Sequence, residues 1–213
     1  GVGYGAGASV TTGIQNTLIG GLAGDALTDA DFNVAVGTAA LSQDTLGSRA
    51  TALGYGALSA QNFTSATDSY NTAVGYHAGI GVTTGVQNTL IGGLAGTTLT
   101  TGGYNSVLGY NALALATTGA NNVAIGRQAL YATTTGANNV SVGLNSMFAN
   151  TTGSDNVAVG ASALGLATTA SSNTAVGKSS LSDNTTGAGN SALGYLALAA
   201  NTTGGSNVAL GFA

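Results

Sequence analysis

The sequence predicts an all-β fold, a parallel β-solenoid with one 17-residue coil per repeat, and three observations carry that prediction. First, the pattern Asn-Thr/Val/Ser-small-aliphatic-Gly recurs along the whole chain of 213 residues. Its glycines are Gly20, Gly37, Gly54, Gly75, Gly92, Gly109, Gly126, Gly143, Gly160, Gly177 and Gly194, with Gly3 and Gly211 at either end. Eleven of the twelve intervals are 17 residues, and the exception, Gly54 to Gly75, is 21. Second, triplets such as Val123-Ala124-Ile125 are short, rich in β-branched residues and bounded by Asn and Gly, as strands are. Third, a period of 17 is too short for helix-pair repeats and is no multiple of a heptad, and a glycine in every turn would ruin a helix.

One repeat domain therefore fills residues 1–213, with about twelve coils and a four-residue insertion within 59–70. Parallel strands stacked at about 4.8 Å make this a rod roughly 58 Å long. A second layer of repetition lies above the first. Val10–Gly24 reappears as Val82–Gly96 with one difference, Ile14 against Val86, the mark of a duplicated multi-coil block. The chain starts at Gly1, holds Met147 as its single methionine and begins and ends in mid-repeat, which reads as a segment of a longer chain.

Each column of the repeat states a requirement. The residue before the glycine is always aliphatic: Ile19, Val36, Leu53, Val74, Ile91, Leu108, Ile125, Val142, Val159, Val176, Leu193 and Leu210, with Val2 ahead of them. An exposed column would drift to polar residues, so this one is expected to be the buried core. Three residues after the glycine the side chain is Ala or Ser throughout, which calls for close approach of another backbone, and the next column is Leu, Met or Gly. The residue just after the glycine varies freely (Tyr55, Tyr76, Arg127, Lys178) and is expected to face outward. Asn four residues before the glycine can stack into a hydrogen-bonded ladder between coils; Ala50 is the one break in that column beyond the first coil. Thr-Thr-Gly triplets such as Thr117-Thr118-Gly119 mark tight corners.

Composition excludes several functions. Only 5% of residues are charged and the net charge is −4, which leaves no basic face for nucleic acid. No cysteine is present and His77 is the single histidine, so thiolate and His-rich metal centres are out of reach. Acid–base catalysis has almost no material, and no enzyme and no cofactor are expected. No apolar run is long enough to insert in a membrane as a helix. The ion the sequence leaves open is a structural calcium at the Asp-rich turns of Asp25, Asp29, Asp31 and Asp44, although their spacing is not that of an EF-hand loop.

A narrow coil cannot enclose all these apolar columns, and a long apolar stripe marks an interaction surface. The economical arrangement is a homotrimer, a β-roll or prism whose axis is lined by the small and aliphatic columns; a dimer satisfies the same argument.

The motifs NTAVGYHAG (Asn71–Gly79), NVAIGRQAL (Asn122–Leu130) and NSALGYLAL (Asn190–Leu198) resemble the repeats of marine bacteriophage tail-fibre proteins. They are more distantly similar to the head repeats of trimeric autotransporter adhesins, whose period is shorter. The resemblance covers essentially the whole chain. It implies a trimeric virion fibre, joined to other fibre or tail proteins, that attaches to a glycan or protein of the host surface; a bacterial surface adhesin is the extracellular alternative. It supplies no catalytic residue. A different class of function, an ice-binding solenoid, is motivated by the stacked threonines from Thr11 to Thr202, but the glycine that follows most Thr pairs puts them at a corner, not on a flat face.

Receptor contact within this segment is expected at the insertion and its flank: Asn62, Phe63, Asp68, Tyr70, Tyr76 and His77. Four extra residues bulge outward from a coil. They serve as a receptor loop using Phe63 and Tyr70, as a clasp on a neighbouring subunit, or as a tolerated decoration. The Tyr column can stack on sugars or cover the apolar rim. His77 is expected at the surface without ligand partners.

Overall fold

A computed structural model describes residues 1–212 and contains strands and turns with no helix. Its strands are β1 (Thr17–Ile19), β2 (Val34–Val36), β3 (Gly47–Ser48), β4 (Thr51–Leu53), β5 (Thr67–Asp68), β6 (Thr72–Val74), β7 (Thr89–Ile91), β8 (Ser106–Leu108), β9 (Val123–Ile125), β10 (Val140–Val142), β11 (Val157–Val159), β12 (Thr174–Val176), β13 (Ser191–Leu193) and β14 (Val208–Leu210). All but β3 and β5 form one parallel sheet in chain order, and β3 pairs with β5 beside it. Register follows the repeat: Ala124 pairs with Ser141 and Ser141 with Ala158, each 17 residues on. The chain is thus a β-solenoid of about eleven turns.

Counting each coil from its Asn (Asn122 is position 1, Gly126 position 5), six positions point inward. In the coil that starts at Asn122 they are Asn122, Ala124, Ala129, Leu130, Thr133 and Gly136. Strand alternation sends the third position in and the second and fourth out. The invariant glycine at position 5 has φ between +127° and +148° in every coil. A Cβ on Gly126 would lie 2.6 Å from the carbonyl oxygen of Gly143. Glycine is therefore demanded twice at this corner, by its dihedral and by the next coil's backbone.

Other corners bend through the left-handed region without glycine. In the coil of Asn122, Gln128 (φ 57°) and Leu130 (φ 52°) adopt it, as does Asn121 (φ 57°) just before. Leucine accepts a strain of about 1 kcal/mol there because its side chain fills the core, which glycine would leave empty. Position 9 is glycine only where a neighbour needs the room. A Cβ on Gly7 or Gly24 would come 2.7 Å from a methyl of Leu18, and one on Gly79 or Gly96 would come 2.7 or 3.0 Å from a methyl of Leu90. Leu18 and Leu90 occupy position 3, where most coils carry Ala. Each leucine at position 3 is thus flanked by glycine at position 9 in its own coil and the one before, which offsets the added side-chain volume. The duplicated block carries this Leu–Gly exchange in both copies.

A ladder of asparagines runs through the interior. Asn122 Oδ1 accepts the backbone N–H of Asn139 at 3.0 Å, and Asn122 Nδ2 donates to Gly136 O at 2.9 Å. The pattern repeats from coil to coil up to Asn207, and satisfies backbone groups that burial would otherwise orphan. On the next wall, Thr Oγ1 donates to the carbonyl of the Thr one coil on, as from Thr117 to Thr134 at 3.2 Å.

The expectation that the aliphatic column before the glycine is the coil's core is corrected. Ile19, Leu53, Ile91, Leu108, Ile125, Val159, Leu193 and Leu210 are exposed, and Val36, Val74, Val142 and Val176 are half-buried. Leu108 and Leu193 each keep 50% of their surface in solvent. Position 4 faces away from the coil because position 3 faces in. The core is built instead from position 3, the Ala/Ser column and the Leu/Met column, all deeply buried along the shaft.

Two outcomes test this packing. Gly126→Ala should destabilise the rod by about 3 kcal/mol, from strain and backbone clash together, read as a lower midpoint in urea. Gly96→Leu should cost about 2 kcal/mol through collision with Leu90, and the double variant with Leu90→Ala should recover much of it in the same measurement.

Candidate functional site

The insertion is where the regular coil breaks, and its geometry starts from a buried carboxyl group. Asp44 is fully buried at position 12, where neighbouring coils carry Leu27, Val82 or Leu99. Its Oδ1 accepts the backbone N–H groups of Gly47 and Phe63, both at 3.0 Å, and its Oδ2 accepts Gln61 Nε2 at 2.6 Å. Gln61 Oε1 in turn accepts Asn71 Nδ2 at 2.8 Å. This chain stands in for the Asn that Ala50 lacks: with no Oδ1 below it, Asn71 receives support from Gln61 in its place. Phe63 folds down beside Gly47 and is only 6% exposed. The following residues, Thr64, Ser65 and Ala66, form the exposed apex. The chain then returns as β5, paired with β3 through Gly47–Thr67 and Ser48–Asp68.

Phe63 is thereby removed from the expected contact set, because its ring is spent on packing the root of the loop. The other residues separate into two clusters. Asp68 and Tyr70 lie together, with Tyr70 Oη donating to Asp68 Oδ2 at 3.3 Å. Arg49 joins them, pairing with Asp68 at 3.0 Å, its guanidinium 4.7 Å from the Phe32 ring centroid and 5.9 Å from that of Tyr70. The hydrogen bond and charge of Asp68 hold the Arg49 pKa above its ordinary value. Phe32, Arg49 and Tyr70 all occupy position 17, the left-handed corner, so successive coils stack them into an exposed aromatic–cation sandwich. Asn62 is exposed on the loop's near side, and its side chain accepts from Thr45 Oγ1 at 3.2 Å.

Tyr76 and His77 belong elsewhere, at the opposite end of strand β6 from Tyr70. Their rings stack with centroids 4.0 Å apart, and Tyr55 one coil before stacks on Tyr76 at 5.6 Å. The outward column after the glycine is exposed as expected: Tyr55, Tyr76 and Tyr110 each keep about half of their surface.

The Asp-rich turns do not converge. Asp44 spends its oxygens on N–H donors, Asp31 accepts from Ile14 N at 2.7 Å, and Asp29 accepts from Thr12 Oγ1. Among the described residues no group of three or more acidic or histidine side chains gathers to hold a metal ion. Arg49, Gln61 and Asn71 lie outside the expected site residues, and Asp44, which the sequence offers as a calcium ligand, instead accepts from Gly47, Phe63 and Gln61. Their signal in the sequence is the loss of Asn at Ala50 beside Asp44 and Gln61 in column 12, a column that is also polar at Thr133, Asn150, Asn184 and Asn201.

Asp44→Ala strands three donors and should cost about 3 kcal/mol in a urea melt, with cleavage by protease at Thr64–Ala66 accelerated. Asp44→Asn keeps the Oδ1 acceptor and should lose about half as much.

Comparison of the chain with protein-family models, with curated proteins and with solved structures finds no match.

Proposed function

We propose that this chain is a shaft or head segment of a viral tail fibre that mediates attachment to the host cell surface, assembled as a homotrimer. The observation that supports it most is the outer face of the long sheet. Positions 2 and 4 of every strand point outward, which lays Thr17 and Ile19, Val34 and Val36, and so on to Val208 and Leu210 along one strip. That strip holds an aliphatic side chain in every coil and no charge. It is roughly 55 Å long at the strand spacing of a sheet. A continuous apolar strip of this length on a monomer is a binding surface, and its self-similar repeat suits a second and third copy of the same chain in register. The aliphatic column that the coil does not bury is then buried between chains. Uniform coils supply stiffness and reach, and the resemblance of NTAVGYHAG (Asn71–Gly79) to tail-fibre repeats points the same way. Receptor contact in this segment falls to the insertion apex, with Asn62, Asp68, Tyr70 and Arg49 around it, and to the Tyr76–His77 stack. No catalytic residue and no cofactor enter this function. The ice-binding alternative is disfavoured by the Thr ladder, whose hydroxyls from Thr83 to Thr185 donate to the next coil.

Sedimentation should give three times the chain mass. Val142→Asp paired with Leu108→Asp should shift the sample to monomer with an unchanged β-type circular dichroism spectrum, because the charges enter the strip and not the coil interior. A wild-type monomer at micromolar concentration would overturn the proposal, and thermal hysteresis in the same sample would favour the ice-binding function.

A further inference from the structure

The stacked aromatic rank at position 10 ends abruptly, and the end forms a slot. Tyr131 and Phe148 stack with centroids 5.1 Å apart and planes within 5°. The next coil has Gly165 at this position and the one after has Ser182. Phe148 therefore has one face covered by Tyr131 and the other turned toward a coil without a side chain. Phe148 and Ser182 are two coils apart, about 9.6 Å at the strand spacing, and the space between them belongs to a cavity of about 190 Å³. One flank is polar, with Asn145 and Ser162 from position 7. The other carries Leu166, half-exposed, and Asp183, whose Oδ1 accepts the Ser182 hydroxyl at 3.1 Å. Asn145 Oδ1 is out of solvent with no donor against it.

We propose that this slot binds one ring of an uncharged pyranose sugar. A pyranose has an apolar C–H face for the free side of Phe148 and a rim of hydroxyls that donate and accept. The slot presents an aromatic plane on one side and, around it, a carboxamide, hydroxyls and a carboxylate, the mixture of apolar wall and few directional polar groups that small-ligand sites use. No basic side chain lines it, and Asp183 repels anions, so sialic and uronic acids are excluded along with phosphates. The slot belongs to a single chain and does not depend on the fibre function or on the oligomeric state.

The step from Phe148 to Gly165 provides the test. Gly165 has no left-handed φ, and a Cβ there would meet Ser162 O at 3.1 Å, in a column that carries full side chains at Tyr131 and Phe148. Gly165→Tyr extends the aromatic rank by one ring and fills the slot with the coil intact, as an unchanged circular dichroism melt should verify. The probes are methyl β-D-glucopyranoside and methyl β-D-galactopyranoside, with N-acetylneuraminic acid as the charged counter-probe, followed by saturation-transfer NMR on the whole chain. At least one neutral glycoside is expected to bind in the millimolar range, Gly165→Tyr to abolish the signal, and Phe148→Ala, which removes the platform without filling the slot, to weaken binding about tenfold. Absence of binding by both neutral glycosides, binding that survives both variants, or preference for the charged sugar would each overturn the assignment.

Discussion

Everything in this rod depends on one coil's backbone lying directly on the next at the glycine that closes each strand. There the chain turns with φ near +130°, and the peptide of the following coil sits where a Cβ would be. This contact sets the corner, and the corner sets the register of the strand before it. A single residue of slip would turn every side chain of a strand to the other face. The constant 17-residue interval is the sequence image of that stacking requirement, and the one longer interval shows how it can be relaxed. The extra residues leave the coil as a loop and return to it, with the strands on either side still paired in register.

Within that frame, stability is a sum of similar contacts between neighbouring coils. The interior is a pipe of fixed cross-section in which volume is traded between columns. Leucine at position 3 is matched by glycine at position 9, and alanine by leucine in every coil but that of Ala73, whose Gly79 makes room for Leu90 of the next coil. Polar groups inside are paired by repetition, since each asparagine serves the coil above with the groups its own coil leaves free. The insertion coil is the exception that shows the rule. Having lost its asparagine, it places Gln61 on Asp44 of the coil before and against Asn71 of the coil after, and the same Asp44 carboxyl group ties down the root of the loop.

The faces of the rod divide the surface by chemistry. One long face is apolar and uncharged, and suits self-association. One corner carries the Phe32–Arg49–Tyr70 sandwich beside the loop. Another carries rings that stack until a glycine opens a gap. A repeat architecture confines such departures to single coils, because a substitution at an outward position leaves the stacking of the next coil untouched. Local recognition features can therefore be added to a stiff rod without remaking it.

The solenoid, its coil length and the place of the insertion were legible in the amino-acid sequence, because stacking demands the same residue at the same interval and so writes itself as periodicity. The outward tyrosines and the asparagine ladder were legible for the same reason. The direction of the aliphatic column was not. A column that is aliphatic in every coil states that the position is apolar, but which way it points depends on where the strand begins its alternation, and a three-residue strand is too short to show that phase. Tertiary structure placed Val142 and its equivalents on the outer face, and it drew Phe63 inward from a loop whose composition suggests exposure. The Arg49 sandwich and the gap beside Phe148 were likewise decided only in three dimensions, since each joins side chains of successive coils through contacts across the stack that no single repeat contains.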